Sequence, residues 1–400
     1  MNLILFLGSG ASRPSGLPLV GGIGDLIFRG SYHRDESGDF REGSPRRRSS
    51  HHNGVPQIRR LLRLLARYDT FDRTQVIGSY PKGKGFASSG AIYRTATTYE
   101  DLYALCWEMH QWMQGLSDNA LTTPFLQLIT KAAGTLAGTG SLRKRMLAIG
   151  HLAHDASFYI LWVVARALHA SRIIGLDLIL ELAKSAAVAR LTIVTLNHDD
   201  LIEQLLHRAQ IDVIDGFGER DGDVRWYDDA LYDDAEAKIR LIKLHGSISW
   251  YRFVRSGAAW PAVLCSGSVA GAVDGMSKSL KTLSQLPFFL CGGRKEAWYQ
   301  HALYADLHHR FHEELRRCDR MVMSGYGWAD TGITNQLERW LDQRASNRLV
   351  LLDEKPEDVV VRSPLMAMSY DSFVAKGQLI PIRTWLCETS LPDIEAALAS

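Results

Sequence analysis

Leu3-Ile4-Leu5-Phe6-Leu7-Gly8-Ser9-Gly10-Ala11-Ser12 opens the chain with an apolar run that stops in a glycine-rich turn. A short unbroken run of apolar residues ending in turn formers is the pattern of a parallel strand buried on both faces. The pattern returns at Leu191–Leu196, Ile239–Leu244, Arg320–Met323 and Arg348–Leu352, with Ile380–Leu386 a further candidate. Helical periodicity lies between these runs. Leu201–Arg208 follows the second, His301–Cys318 leads into the fourth, and Ile333–Arg344 separates the fourth from the fifth. Strands alternating with helices predict an α/β fold with a doubly wound, mostly parallel, Rossmann-like sheet.

Two stretches break the rhythm. Residues 30–55 are polar and rich in Gly, Ser, Pro and Arg, with little to bury, and read as a mobile loop or disordered insertion. Residues 99–190 carry long helical patterns, among them Tyr99–Gln114 and Ser157–Lys184, and no strand pattern. The expected organisation is a sheet domain from 1–28 and 190–400, a basic loop and connector over 29–98, and an inserted helical subdomain over 99–189.

Composition narrows the class. A hydrophobic content of 46% over 400 residues supports a full core. A net charge of +2 gives no general attraction to nucleic acid. Arg41, Arg46, Arg47, Arg48, Arg59, Arg60, Arg63 and Arg67 make one basic stretch, but without interleaved aromatics direct nucleic-acid binding is not expected. The acidic stretch over 212–236, like the basic one, suits a solvated face. Cys106, Cys265, Cys291, Cys318 and Cys387 form no CxxC pair, so neither a disulfide framework nor a metal site is expected. There is no basic leader, and no uninterrupted apolar run reaches the ~18 residues of a membrane span. A soluble, cytoplasmic protein without membrane association is the expectation.

Four loops at predicted strand ends carry the chemistry, because open α/β sheets bind ligands beyond the carboxyl ends of their strands. Gly8-Ser9-Gly10-Ala11-Ser12, followed by Gly16-Leu17-Pro18, would let the backbone approach a pyrophosphate. Arg13 occupies the third glycine position of GxGxxG, so the ordinary dinucleotide fingerprint fails, and a tight structural turn is the competing account. Thr195-Leu196-Asn197-His198-Asp199 could bind ribose hydroxyls and a water molecule, or cap the helix that follows. His245-Gly246-Ser247 places an imidazole at a strand end, as a base near neutral pH or as a structural group. Gly325-Tyr326-Gly327-Trp328-Ala329-Asp330 is a second glycine loop, in which Asp330 also suits a helix cap.

In order and spacing, these four elements resemble the sirtuin-like superfamily. Its members carry a GAG-S loop with a downstream GLP, a T-x-N-x-D element, an H-G element and a late glycine loop ending in Asp. The Lys243-Leu244-His245-Gly246-Ser247 stretch is especially similar to bacterial sirtuin-like proteins. The resemblance covers roughly 1–28 and 190–355. Deacetylating sirtuins also have a four-cysteine zinc module and a D-F-R tripeptide, whereas here Leu19-Val20-Gly21 follows Pro18. The resemblance therefore implies the antiphage-defence branch, whose sirtuin-like domains hydrolyse NAD⁺ to nicotinamide and ADP-ribose, with NAD⁺ as substrate and no metal. By resemblance Asn197, His245 and Asp199 are catalytic: Asn197 would hold the water and the ribose, His245 would accept a proton from a ribose hydroxyl or the water, and Asp199 would orient its neighbours or help stabilise positive charge. Gly8, Ser9, Gly10, Ala11, Ser12, Gly16, Leu17, Pro18, Thr195, Gly246, Ser247, Gly325, Tyr326 and Asp330 would hold NAD⁺.

Related enzymes act with a HerA-type ATPase, an Argonaute-like protein or a signal-binding domain, and commonly assemble. With the sheet expected to end near 355, no fused sensor is expected, and control would fall to a homo-oligomer or a separate partner. The alternatives are a deacylase or ADP-ribosyltransferase, and a non-catalytic module that binds NAD⁺ or ADP-ribose. Two further patterns carry less. Residues 78–85 have P-loop spacing, but Gly85 stands where Ser or Thr belongs. His308 and His312, one helical turn apart, suit a solvated helix face better than a metal.

Overall fold

Along Asn2–Leu7 the side chains alternate between two apolar layers: Leu3, Leu5 and Leu7 enter one, Ile4 and Phe6 the other. That alternation, apolar on both faces, fixes the strand in the middle of a sheet covered on each side. A computed structural model describes residues 1–44, 54–66, 97–117, 119–255, 257–264, 281–282, 286–292 and 295–399. Six strands form the central sheet: β1 (Asn2–Leu7), β2 (Arg190–Thr195), β3 (Ile239–Lys243), β4 (Arg320–Ser324), β5 (Arg348–Leu352) and β6 (Leu379–Ile382). Every pairing is parallel, and the spatial order is β3-β2-β1-β4-β5-β6. This is the doubly wound Rossmann order, in which the chain reverses its direction of winding between β1 and β4. The α/β expectation holds, and the sheet continues past 355 to Ile382.

The helices follow from the same two layers. Ala302–Arg317, Thr331–Gln343 and Pro364–Ala375 cover the Ile4/Phe6 face with Leu307, Phe311, Leu337, Trp340, Met366 and Phe373. Asp177–Lys184, Leu201–Arg208 and Leu391–Ala399 cover the other with Ile179, Leu182, Leu201, Leu206 and Ile394.

A second, antiparallel sheet flanks β3 in sequence and was not expected. Its strands run in the order Lys281–Thr282, Trp250–Arg255, Ala258–Leu264, Val224–Tyr227, Phe217–Asp221. Pro261 makes Ala258–Leu264 a poor strand candidate in sequence. In the sheet it pairs with Arg252, and on its other side the register with Val224–Tyr227 begins only at Ala262.

The chain divides into two compact units. The sheet unit comprises Met1–Leu19, Leu168–Leu290 and Lys295–Ser400, and the second comprises Val20–Ala167 with Cys291–Arg294. The second unit is built on the 26-residue helix Leu142–Ala167. By length and composition this helix could cross a membrane, but 61% of its apolar window is buried inside the protein, as in the core helix of a globular fold. Around it lie Val20–Arg29, Val55–Ala66, Tyr99–Met113 and Thr122–Ala133. Arg59 ties Val55–Ala66 to the end of Val20–Arg29, donating to the Ile27 carbonyl at 2.7 Å and the Gly30 carbonyl at 2.6 Å.

Two local expectations change. Within the stretch read as a mobile loop, Tyr32–Arg34 and Phe40–Glu42 pair as an antiparallel hairpin. Tyr32 and Phe40 pack their rings on Trp162 and Tyr159, and Asp35 organises the turn through Ser37 and the Asp39 amide. Residues 45–53, and the P-loop-like 78–85, lie outside the described residues. The helical pattern Ser157–Lys184 is two helices, broken over 168–176, where Gly175 adopts φ +78 in contact with Cys387 and Pro14.

Candidate active site

At the reversal point between β1 and β4 the two glycine loops touch. The Gly8 amide donates to the Ser324 carbonyl at 3.0 Å, and the Gly10 amide to the Gly325 carbonyl at 3.0 Å. A Cβ on Gly8 would stand 2.4 Å from the Gly325 oxygen, and one on Gly325 (φ +69) would stand 2.3 Å from the Ala11 nitrogen. Backbone lies against backbone, so only glycine fits. The Ala11 amide bonds to the Gly8 carbonyl as the short 3-10 turn Ser9–Ser15 begins. Three loop amides that would suit a pyrophosphate are thus already committed to protein carbonyls. Ser9 is exposed; Gly16 ends the turn in the left-handed region, and Leu17 enters the core ahead of half-buried Pro18.

The end of β2 meets this turn through a buried network. Asn197 Nδ2 donates to the Gly8 carbonyl at 3.0 Å and to Ser12 Oγ at 2.9 Å, and Ser12 Oγ donates to Asp199 Oδ2 at 2.8 Å. A carbonyl can only accept, so the amide's orientation is determined: its NH₂ faces the loop. The amide oxygen, Oδ1, is engaged by no donor among the described residues. Asp199 Oδ1 accepts the Leu201 amide at 3.3 Å, where the helix Leu201–Arg208 starts. Burial raises the Asp199 carboxyl, against the opposing pull of Lys243 and Ser12. The buried Lys243 ammonium donates to the Asp199 carbonyl and pairs with Glu203 at 2.8 Å. Burial pushes the Glu203 carboxyl up to about 7, with Lys243 opposing. Thr195 Oγ1 joins the two strand ends, donating to the Leu7 carbonyl and accepting from the Asn197 amide.

The ends of β3 and β4 hold a second cluster. His245 Nε2 lies 3.1 Å from both the Tyr299 hydroxyl and Asp330 Oδ2, and Tyr299 donates to the same Oδ2 at 2.6 Å. Asp330 Oδ1 meanwhile accepts the Ile333 amide at 3.1 Å, capping Thr331–Gln343. Burial raises the Asp330 carboxyl, but hydrogen bonding and charge from His245, with Tyr299 and Ile333, outweigh it and hold the group well below the usual carboxylate range. With a carboxylate facing Nε2, the neutral imidazole carries its proton there and its lone pair on Nδ1. His308 stacks on Tyr299 at 3.8 Å, and burial, then the His245 charge, lowers it to about 3. His198 lies 6.2 Å from His245, ring to ring, and burial holds it neutral, well below the usual range.

The remaining sequence candidates take up scaffold positions. Gly246 (φ +79) leaves room for the Phe288 carbonyl and Phe289, and buried Ser247 donates to the His198 carbonyl. Tyr326 is in the core against Phe6, its hydroxyl donating to the Asp330 carbonyl at 3.0 Å and lying 2.9 Å from Thr334 Oγ1. Sequence reasoning missed Tyr299 and gave His198 no role. Tyr299 is 54 positions from His245 and sits in no strand or glycine loop, so no local signal marks it. Among the described residues no group of three or more His, Cys, Asp or Glu converges to hold a metal.

No curated protein matches the chain. A family model described as a SIR2-like domain matches residues 191–371, which include Asn197, Asp199, His245, Tyr299 and Asp330 but not the first glycine loop. Over that segment the chain is similar to SIR2-like domains, whose members are typically NAD-dependent enzymes.

Proposed function

We propose that the chain is an NAD⁺ hydrolase that cleaves the nicotinamide–ribose bond, releasing nicotinamide and ADP-ribose. The observation that carries this reading is the fixed amide of Asn197: both N–H groups are bound to the first loop, so Oδ1 remains to accept from a water or ribose hydroxyl. Nicotinamide leaves as a neutral group from a cationic precursor, so the reaction requires no strong general acid. It requires stabilisation of an oxocarbenium-like ribose and entry of one water. Asn197 Oδ1 orients that water. His245, held by Tyr299 and Asp330, takes up the proton as the water adds to the anomeric carbon. Asp199 keeps Ser12 and hence Asn197 in place.

The wider setting belongs to the same proposal. The enzyme acts in the cytoplasm as the effector of an antiphage defence complex, restrained by self-assembly or by a separate partner such as a HerA-type ATPase. Exposed Leu116, Leu121 and Leu128 on the helical unit support an assembly surface. The test is NAD⁺ loss and nicotinamide release by the purified chain, alone and with its genomic neighbour. Asn197→Ala and His245→Ala should each lower turnover by about a hundredfold or more. Full turnover in both variants would refute the site.

A further inference from the structure

Lys243 ends β3 two residues before His245, and its side chain is buried, only 2% exposed. The ammonium donates to the Asp199 carbonyl and pairs with Glu203 at 2.8 Å. Two further donors from the same stretch hold the preceding carbonyl. The Ile248 amide reaches the His198 oxygen at 2.8 Å, and Ser247 Oγ reaches it at 3.2 Å. Residues 243–248, which carry His245, thus grip residues 197–199, which carry Asn197, by two adjacent carbonyls. Of the three donors only Lys243 brings a charge.

As a stabilising element the pair is poor. Glu203 Oε2 is buried without a hydrogen-bond partner among the described residues, and a buried ion pair generally stabilises no better than apolar side chains of its volume. Apolar side chains, however, cannot hold a backbone carbonyl in place or favour the ionised form of a buried carboxyl. Burial raises the Asp199 carboxyl and the adjacent Asp200 adds to this, while Lys243, Ser12 and the Leu201 amide oppose it. When ionised, Asp199 Oδ2 accepts the Ser12 proton, which leaves the Ser12 oxygen to accept from Asn197 Nδ2. We propose that Lys243 is a positioning residue of the hydrolytic site: through one carbonyl and one carboxylate it sets Asn197 against His245, and Glu203 compensates its charge. The proposal rests on the hydrolase reading for the reaction, but not for the tie itself.

Lys243→Met, alone and combined with Glu203→Leu in the full chain, separates position from stability. The single variant strands a buried carboxyl and should lower the melting temperature. The double variant removes both charges and should return it to near the wild-type value. NAD⁺ turnover should not return with it: in both variants kcat should be about tenfold lower or more, with KM little changed. In the double variant the acid limb of kcat should also move to higher pH, because Asp199 loses the cation that favours its ionised form. Recovery of kcat together with stability, or an unmoved acid limb, would overturn the assignment, since a purely structural pair predicts both. Hydrogen exchange at the Leu201 and Ile248 amides reads the tie without turnover. Both should exchange about tenfold faster in the double variant than in the wild type. Unchanged exchange would refute the tie whether or not the chain hydrolyses NAD⁺. A chain that never turns over NAD⁺ yet loosens at both amides keeps the tie and loses the hydrolase function.

Discussion

Gly325→Ala tests whether the two glycine loops form one rigid unit. At φ +69 an alanine first incurs the left-handed penalty, about 1–2 kcal/mol. Its Cβ would then stand 2.3 Å from the Ala11 nitrogen and 2.8 Å from the Gly10 Cα, both backbone atoms that cannot rotate away. Parting the loops breaks the two interloop bonds, Gly8 to Ser324 and Gly10 to Gly325, at about 1 kcal/mol each. The sum is about 3–4 kcal/mol. Gly377→Ala is the matched control, because Gly377 has φ +66 with nothing within 4 Å of the place its Cβ would take, and so incurs the dihedral penalty alone. Over a chain of 400 residues the difference of about 2 kcal/mol corresponds to a melting temperature about 2–3 °C lower for Gly325→Ala than for Gly377→Ala. Differential scanning fluorimetry of both variants measures it. Equal melting temperatures would show that the loops yield and do not form one rigid unit.

The histidine cluster gives two further expectations. Tyr299→Phe removes the hydroxyl that bonds both His245 and Asp330 while keeping the ring on His308, and should lower kcat for NAD⁺ about tenfold with little change in KM; an unaltered kcat would exclude Tyr299 from positioning His245. His308 is lowered to about 3 in the fold, against about 6.5 unfolded, so the neutral form is the one the fold favours. Its contribution is present above pH ~6.5 and is lost as pH falls toward 3, at about 1.4 kcal/mol per pH unit. His308→Phe should therefore flatten the acid limb of stability in urea titrations between those limits, and an unchanged slope would contradict the assignment.

What the sequence made legible follows from the range of its signals. The runs Leu3–Leu7, Leu191–Leu196 and Ile239–Leu244 are apolar because both sheet faces are covered, and that requirement is written locally, residue by residue. Loop chemistry at strand ends is local too, so the residues of both buried clusters except Tyr299 lay in stretches already singled out. The antiparallel sheet was hidden for a physical reason. Trp250–Arg255 does not alternate cleanly, and its partner Ala258–Leu264 contains Pro261, acceptable because the register with Val224–Tyr227 starts one residue later. The use of the first loop's amides was hidden as well. Glycines that admit a phosphate and glycines that admit another loop are the same in sequence, and only the placement of β4 beside β1 distinguishes them.

The competition between a cap and a functional carboxylate dissolves once each oxygen is followed. Asp330 gives Oδ1 to the Ile333 amide and Oδ2 to His245 and Tyr299. Asp199 gives Oδ1 to the Leu201 amide and Oδ2 to Ser12. A helix start at a strand end leaves amides in need of an acceptor, and each carboxylate gives one oxygen to such an amide while the other holds a side chain of the site. Capping then has a consequence beyond helix stability: it locks the carboxylate's rotation, and with it the group on the second oxygen. His245 and Asn197 are thus held by helix starts, the first through Asp330 and the second through Asp199 and Ser12. Replacing Asp330 with alanine removes the cap of Thr331–Gln343 and frees His245 in one step, so loss of stability and loss of activity should arrive together. Asparagine, which can still accept the amide but carries no charge, should separate the two.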